Sequence, residues 1–553
     1  MKSMIFVLLG MVSLTSLSAA TSLNYLKDAK LASKQIVRLG NGAEPKELDP
    51  SKSTGVPESH ILDNLFEGLT SLDPVTLTEL PGVAHKWGKS KDGLTYTFHL
   101  RKDAKWSDGK PLVAQDFVWS WARALSPALA SEYAYQLHYI KNGKAFNEGK
   151  IRDPKKLGVK AVGKHKLIVT LEQPTPFFTR LTAFHTLYPV PRHMIEKYPG
   201  QKWTKAGVLV GNGPFVLNEW RLNSHIKLLP NPNYWDKKLI KIKEAWFYPI
   251  ENQDTEERTF FAGKLHKTNE VPVMKIPTFK RQIKKSPNKY HPYQSVPYLG
   301  VYYYRFNVTK KPLNDKRVRR ALNLAIDRTL IAERVTRGGE QPADAFTPPG
   351  TGGYTYDPTL PIHADAKALK EARSLLAAAG YPGGKGFPKI DILFNTSEKH
   401  KKVALAIQQM LNKNLGIEIG LYNQEWKVYL DNQRKLNYAI SRAGWIGDYP
   451  DPNTFLDMWV TGGGNNQTGW SNLKYDKLIS DASKTTDEAK RLSYFRQAEK
   501  ILLDELPVLP IYYYTKTGLI SKDLKMQTNK GELIEYTSNI QDRLFLKNLV
   551  ITK

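Results

Sequence analysis

The 553-residue chain contains no cysteine. That excludes a disulfide framework, a thiolate metal site, a cysteine nucleophile and a lipid-modified cysteine after a leader segment. No stretch reaches the roughly 18 consecutive apolar residues that a membrane-spanning helix needs. Gly-x-Ser-x-Gly and His-Glu-x-x-His are both missing, which removes the usual signatures of a serine hydrolase and a zinc protease. "GYPGGKG" (380–386) falls one residue short of a phosphate-binding loop and ends in Gly where a magnesium-binding hydroxyl is needed, so it reads as a plain loop. The 12 histidines are scattered without close pairs at metal-ligand spacing, so no metal, no cofactor and no catalytic site are expected.

Acidic residues are also scarce, 53 against 81 Lys and Arg, for a net charge of +28. Such an excess attracts acidic ligands, nucleic acid or anionic surfaces. The bases are nevertheless spread out, with only short clusters at "KRQIKK" (280–285), "KRVRR" (316–320) and "KHKK" (399–402). They read as solvated surface, and nucleic acid is not expected as a partner.

What is present describes a globular protein: 41% hydrophobic, 11% aromatic and 24% charged residues. At roughly 150 residues per domain, two to four domains are expected. The start, "MKSMIFVLLGMVSLTSLSAATS", places Lys2 before an apolar stretch, Met4 to Val12, and then Ser18, Ala19 and Ala20. That is the order of a secretory leader cut after Ala20. A soluble, exported, unlipidated protein follows, and a bacterial periplasm is its natural compartment.

Strands and helices alternate along the chain. "LTYTFHL" (94–100) has the period of a half-buried strand, "SDGKP" (107–111) reads as a turn, and "AQDFVWSWARAL" (114–125) starts a helix. Phe215 to Trp220 and Ile226 to Leu229 read as strands flanking "RLNS". Asn314 or Asp315 can cap a helix whose apolar stripe is Val318, Ala321, Leu322, Ala325 and Ile326. A second helix, about Asp365 to Ala379, should stop at Gly380 in the left-handed position. The fold class is therefore mixed α/β. Crossings between lobes are expected around 188–194 and at "YLGVYYYRFN" (298–307), whose aromatics suit a buried strand.

"GWIGDYPDPNTFL" (444–456) carries two aspartates three residues apart. Asp451, before Pro452 and an apolar run, reads as a helix cap with proline at the first helical position. Asp448 alone reads as a turn residue.

Seven stretches, taken in order, resemble one family: "LDPSKSTGVPESHILDNLFEGL" (48–69), "YTFHLRKDAKWSDGKPLVAQDFVWSW" (96–121), "NGPFVLNEW" (212–220), "PLNDKRVRRALNLAIDR" (312–328), "NTSEKHKKVALAIQQML" (395–411), "LYNQEWKVYL" (421–430) and "RAGWIGDYPDPNTFL" (442–456). They are similar to the extracytoplasmic solute-binding proteins of peptide ABC transporters, and within these to the periplasmic oligopeptide-binding proteins. The resemblance implies a two-lobed periplasmic-binding-protein-like α/β fold (class II, large cluster with an additional inserted domain) with a hinge between the lobes. The expected division is a leader 1–20, a discontinuous lobe I of 21–66, 192–299 and 516–553, an additional domain II of 67–191, and a lobe III of 300–515.

It also implies a monomer that encloses a short peptide and presents it to an inner-membrane permease driven by an ATPase. A receptor for peptides of many sequences binds their backbone and charged amino terminus. The resemblance assigns backbone pairing to Thr54-Gly55-Val56 and Gly444-Trp445-Ile446, and the amine to Asp448, because a buried ammonium needs a counter-charge. It places Tyr133, Tyr303 and Tyr514 in the pocket lining, Trp426 and Trp445 as flat walls, and Arg442, His400 and Asn395 toward the carboxyl end. Thr54 and Arg305 stand where well-known oligopeptide binders carry acids, which implies a more positive pocket and a tilt toward acidic or murein-type peptides. Other members of the wider family bind dipeptides, haem, nickel chelates or sugars. A secreted chaperone or adhesin, or a secreted hydrolase, would be the readings from other classes.

Overall fold

The computed structural model describes residues 25–27, 29–356 and 360–553, so the leader lies outside the described residues. Five sheets carry the architecture. In the first lobe a four-stranded sheet runs in the order Ile36–Gly40, Glu244–Tyr248, His225–Pro230, Phe215–Arg221; its first pair is parallel and the rest antiparallel. The two strands read from 215–220 and 226–229 are thus adjacent antiparallel partners. A three-stranded sheet of Leu533–Glu535, Leu524–Gln527 and Leu549–Ile551 brings the C-terminal segment to the same lobe.

A separate antiparallel sheet orders Ala84–Lys89, Thr95–Leu100, Lys166–Thr170 and Val159–Val162. Its central strand alternates as its sequence requires, with Tyr96, Phe98 and Leu100 buried. The helix Ala114–Ala124 covers it through Phe117 and Trp121, and one continuous apolar core joins this sheet to the first lobe's.

The second lobe is built on a six-stranded mixed sheet in the order Gln341–Pro342, Val508–Leu519, Tyr293–Phe306, Ile440–Ile446, Ile390–Asn395, Ile419–Gln424. Period-two alternation on the strand Tyr293–Phe306 divides its aromatics between two cores. Tyr302, Tyr304 and Phe306 pack under the helices Lys316–Leu324, Ala366–Ala378 and Glu398–Leu415, while Val301 and Tyr303 pack against Phe346 and Trp459 on the opposite face. The predicted helix boundaries hold closely: Asp315 and Asp365 cap their helices through side-chain oxygens, and Gly380 follows the second with φ +98°.

Tyr293–Phe306 and Val508–Leu519 are long antiparallel partners that pass from one lobe to the other. Tyr293 and Leu519 sit in a small core with Phe260 and Val271 of the first lobe, whereas Arg305 pairs with Val508 deep in the second. Their register shifts between Pro297 and Val301. There the Leu299 N–H donates to the Ile540 carbonyl, and the Leu299 carbonyl accepts from Gly447. The connection between lobes is therefore a two-strand ribbon with an interrupted ladder, the kind of element that absorbs a hinge rotation.

The basic clusters are not uniformly solvated. Arg319 is buried and satisfies the Glu505 and Leu506 carbonyls at the end of the helix Glu488–Glu505. Lys399 is buried and paired with Glu340 at 3.0 Å. Part of the excess charge is thus internal scaffolding.

Candidate functional site

Between the lobes lies a cavity of about 260 Å³. Its second-lobe wall is the strand Ile440–Ile446 and the turn after it. On one side this strand pairs with Tyr293–Phe306 along its whole length; on the other it meets Ile390–Asn395 only at Ile440 and Ser441. From Gly444 to Ile446 that second edge faces the cavity unpaired among the described residues. An open strand edge is a template for an added extended segment. Gly444 is required there, because a Cβ would lie 2.5 Å from the Tyr514 hydroxyl.

The sequence placed Asp451 as a helix cap with Pro452 first in the helix; in the structure Pro452 is itself the residue before the short helix, and it supplies no side-chain cap. The Asp451 carboxylate accepts the Asn453 N–H at 2.9 Å and holds Arg491 through both terminal guanidinium nitrogens at 2.7 and 2.9 Å. Pro452, at helical angles, stands immediately before the short helix Asn453–Leu456. Asp448 is different. Its carboxylate accepts from the Gln136 amide at 2.7 Å, has no ion pair among the described residues, and opens onto the cavity. Burial pushes its pKa well above the usual carboxylate range, and the nearby Asp457 carboxylate pushes the same way. Asp457 accepts from Tyr139 and Asn453 and is itself raised by burial to about 7. A cation arriving at Asp448 relieves both costs.

At the other end of the strand, Arg442 is buried and has no carboxylate partner among the described residues. It donates to Asn395 at 3.2 Å and to the Tyr514 hydroxyl at 2.6 Å, and it lies 4.7 Å from the Tyr302 ring centre. Its Nε has no hydrogen-bond partner among the described residues. His400, beside Tyr302, is held neutral: burial lowers its pKa well below the usual value, and Arg442 and Lys399 add to the effect. Arg442 therefore carries the positive charge of this end.

Of the residues singled out in the sequence, Thr54, Gly55, Val56, Tyr133, Asn395, His400, Trp426, Arg442, Gly444, Trp445, Ile446, Asp448 and Tyr514 all line the cavity. Val56 is no strand residue: it opens the helix Val56–Leu65, with Gly55 as the extended residue before it and Pro57 in the first turn. Tyr303 and Arg305 are outside. Strand alternation turns both to the face opposite Tyr302, where Tyr303 packs against Phe346 at 5.0 Å and Arg305 donates to Gln467 at 2.6 Å. Gln467 in turn donates to Glu132 at 2.8 Å. Arg305 therefore adds no positive surface to the cavity, and the acidic tilt inferred from it loses that support.

The sequence left several lining residues unnoticed. Gln136, which holds Asp448 from behind the cavity wall, sits one helical turn from Tyr133 and could have been found by i+3 spacing. Glu251, Gln253, Glu256, Asn269, Glu270 and Lys516 of the first lobe form the opposite wall, and no local pattern marks them.

Contacts across the cleft are numerous. Lys46 pairs with Asp431 at 2.8 Å, the Trp426 indole donates to Glu58 at 3.4 Å, and Phe177 stacks on Tyr449 at 4.5 Å. A Cβ on Gly55 would meet Glu58 Oε2 of the following helix at 2.1 Å and, across the cleft, the Trp426 ring at 2.9 Å. Burial raises the Glu58 carboxyl to about 7.

Residues 79–467 match the model of the bacterial extracellular solute-binding proteins, family 5. The chain is 39% identical over 547 residues to the periplasmic oligopeptide-binding protein OppA of Salmonella typhimurium, covering 98% of this chain and 97% of that one. Among solved structures, Haemophilus influenzae OppA in complex with RPPGFSPFR has a TM-score of 0.87 at 35% identity, with 95% of this chain and all of that one covered. The unliganded open form of the murein tripeptide-binding protein MppA has a TM-score of only 0.61 at 37% identity, over 96% of this chain and 99% of that one. With identity and coverage nearly equal, the gap reflects the arrangement of the lobes, and the cross-cleft contacts mark this chain as closed.

Proposed function

The chain belongs to family 5 of the bacterial extracellular solute-binding proteins, and from that premise we propose that it is the periplasmic receptor of a peptide ABC importer. It captures short peptides between its lobes and hands them to an inner-membrane permease and ATPase. The observation that carries this is the pairing, on one strand, of an open backbone edge at Gly444–Ile446 with an un-neutralised carboxylate at Asp448. An extended peptide supplies what each lacks: amide groups for the edge and an ammonium for the acid. Arg442 at the far end receives the carboxylate. The family relatives are solute-binding proteins, and the residues of the cleft are proposed to bind and not to transform their ligand.

In this reading 21–66, 192–299 and 516–553 move as one lobe with 67–191 attached, and 300–515 as the other. The ribbon of Tyr293–Phe306 and Val508–Leu519 is the hinge. Export by the leader at 1–20 and action as a monomer complete the proposal. Native mass spectrometry of the protein as purified tests it. Co-purifying short peptides of mixed sequence with free amino termini are expected; a protein that, after unfolding and refolding, takes up nothing from a random peptide pool would refute it.

A further inference from the structure

A second groove, of about 560 Å³, runs between the helix Ile276–Lys285 and the segment 332–342, and it shares no lining residue with the peptide cleft. Its first wall belongs to the first lobe: Ile276 and Phe279 sink into the core with Phe260 and Val271, and Phe279 stacks on Tyr293 at 5.4 Å. Its second wall is the short helix Ile331–Thr336 and the loop that leads to Gln341–Pro342, the edge strand of the second-lobe sheet. Lys280 Nζ joins the two walls by donating to the Arg337 carbonyl at 2.8 Å, and the Ser295 hydroxyl ties the ribbon to the Gly338 carbonyl at 2.7 Å.

Three cations, Lys280, Arg334 and Arg337, line this groove, and none forms an ion pair among the described residues. Arg337 is half-buried and donates its Nε to the Arg334 carbonyl at 2.7 Å, which leaves both terminal guanidinium nitrogens without a protein acceptor among the described residues. Of the two acids in the lining, Glu340 is buried and held by Lys399 at 3.0 Å, so Glu333 alone stands against the three cations. Beside Lys280 the helix adds Arg281, Lys284 and Lys285, all exposed, and it contains no acid. Lys280 with Lys284, and Arg281 with Lys285, are like charges at i,i+4 spacing, an unfavourable pairing in the free protein. A bound anion relieves that repulsion and satisfies the Arg337 donors together.

The donor set decides which anion. A carboxylate offers one charge and two oxygens in a plane, whereas the oxygens of a phosphate point in several directions and accept from two guanidinium forks and an ammonium at once. The groove is also wide enough to admit the molecule that bears the phosphate. We propose that Lys280, Arg334 and Arg337 form a binding site for a phosphate group, carried by a soluble phosphate compound or by a phospholipid headgroup. The site is independent of the peptide-receptor reading, because the two cavities have no residue in common.

Two measurements at fixed ionic strength test it and separate the sources. Inorganic pyrophosphate, titrated into the protein by calorimetry, probes the soluble one; co-sedimentation with phosphatidylglycerol vesicles, set against phosphatidylcholine vesicles, probes the lipid one. Binding in at least one arm is expected. Lys280→Ala/Arg334→Ala/Arg337→Ala should weaken it at least about tenfold, in keeping with the loss of charge-assisted bonds to one phosphate. Lys86→Ala/Lys89→Ala/Lys91→Ala removes as many charges from exposed positions on and beside the strand Ala84–Lys89 and should stay within about twofold of the native protein. Lys280→Glu alone, which leaves the second lobe untouched, should weaken binding at least about fivefold and serves as the test if the triple variant does not fold. No binding in either arm would overturn the site. So would binding that survives the groove substitutions, or that both triple variants weaken equally, since either result assigns the phosphate to Arg442 or to the general positive charge of the chain.

Discussion

The two walls of the cleft solve the same problem in opposite ways. The second-lobe wall presents an open strand edge with one isolated cation, Arg442, and one isolated anion, Asp448, at its two ends. The first-lobe wall presents side chains instead, Glu251, Gln253, Glu256, Asn269, Glu270 and Lys516. The first arrangement suits what all peptides share, a backbone and two charged ends.

Substitutions sharpen that contrast. The largest effect is expected at Asp448: Asp448→Ala should weaken binding of every peptide by about 3–5 kcal/mol, the scale for removing one partner of a buried ion pair. Calorimetry that finds unchanged affinity would break the assignment. Arg442→Ala should cost about 2–4 kcal/mol and should penalise peptide acids more than the corresponding amides. Loss of equal size for both would mean that Arg442 only props Asn395 and Tyr514.

Glu58 gives a prediction on stability. Its carboxyl is raised from 4.5 to about 7 by burial under Trp426, so the closed protein binds its proton more tightly than the unfolded chain does. The stability it contributes is fully present below pH 4.5 and is lost as pH rises through 7. Glu58→Gln should therefore match the native protein near pH 4 and exceed it by up to about 3 kcal/mol near pH 8, read from melting curves at both pH values. The smallest effect belongs to Lys46 and Asp431, a partly exposed pair across the cleft. Lys46→Ala should shift the balance of open and closed forms by less than about 1 kcal/mol, measured as a slight rise in the radius of gyration by X-ray scattering.

How much of this could be read from the sequence follows the same division. The second-lobe wall was legible because it is local. Arg442, Gly444, Trp445, Ile446 and Asp448 lie within seven residues, although by themselves the residues made Asp448 a turn aspartate and only the family resemblance assigned it to the amine. Helix caps at Asp315 and Asp365 were legible for the same reason. The first-lobe wall was not, because Glu251 and Glu270 look like any surface acids until the chain brings them opposite Tyr514. Tyr303 and Arg305 were misplaced through a single uncertainty, the face to which an all-aromatic strand turns each residue. With apolar residues on both faces, "VYYYRF" gives no binary pattern to fix that choice. Only the packing of Tyr302 under Arg442 and of Tyr303 on Phe346 decides it.

The most direct test of the account compares one peptide with a free amino terminus and the same peptide N-acetylated, by calorimetry on the refolded protein. Acetylation removes the only charge that Asp448 is proposed to meet and leaves the backbone and side chains intact. A loss of at least about a hundredfold in affinity is predicted. Equal binding of the two peptides would contradict the central claim that Asp448 anchors the ligand by its amine.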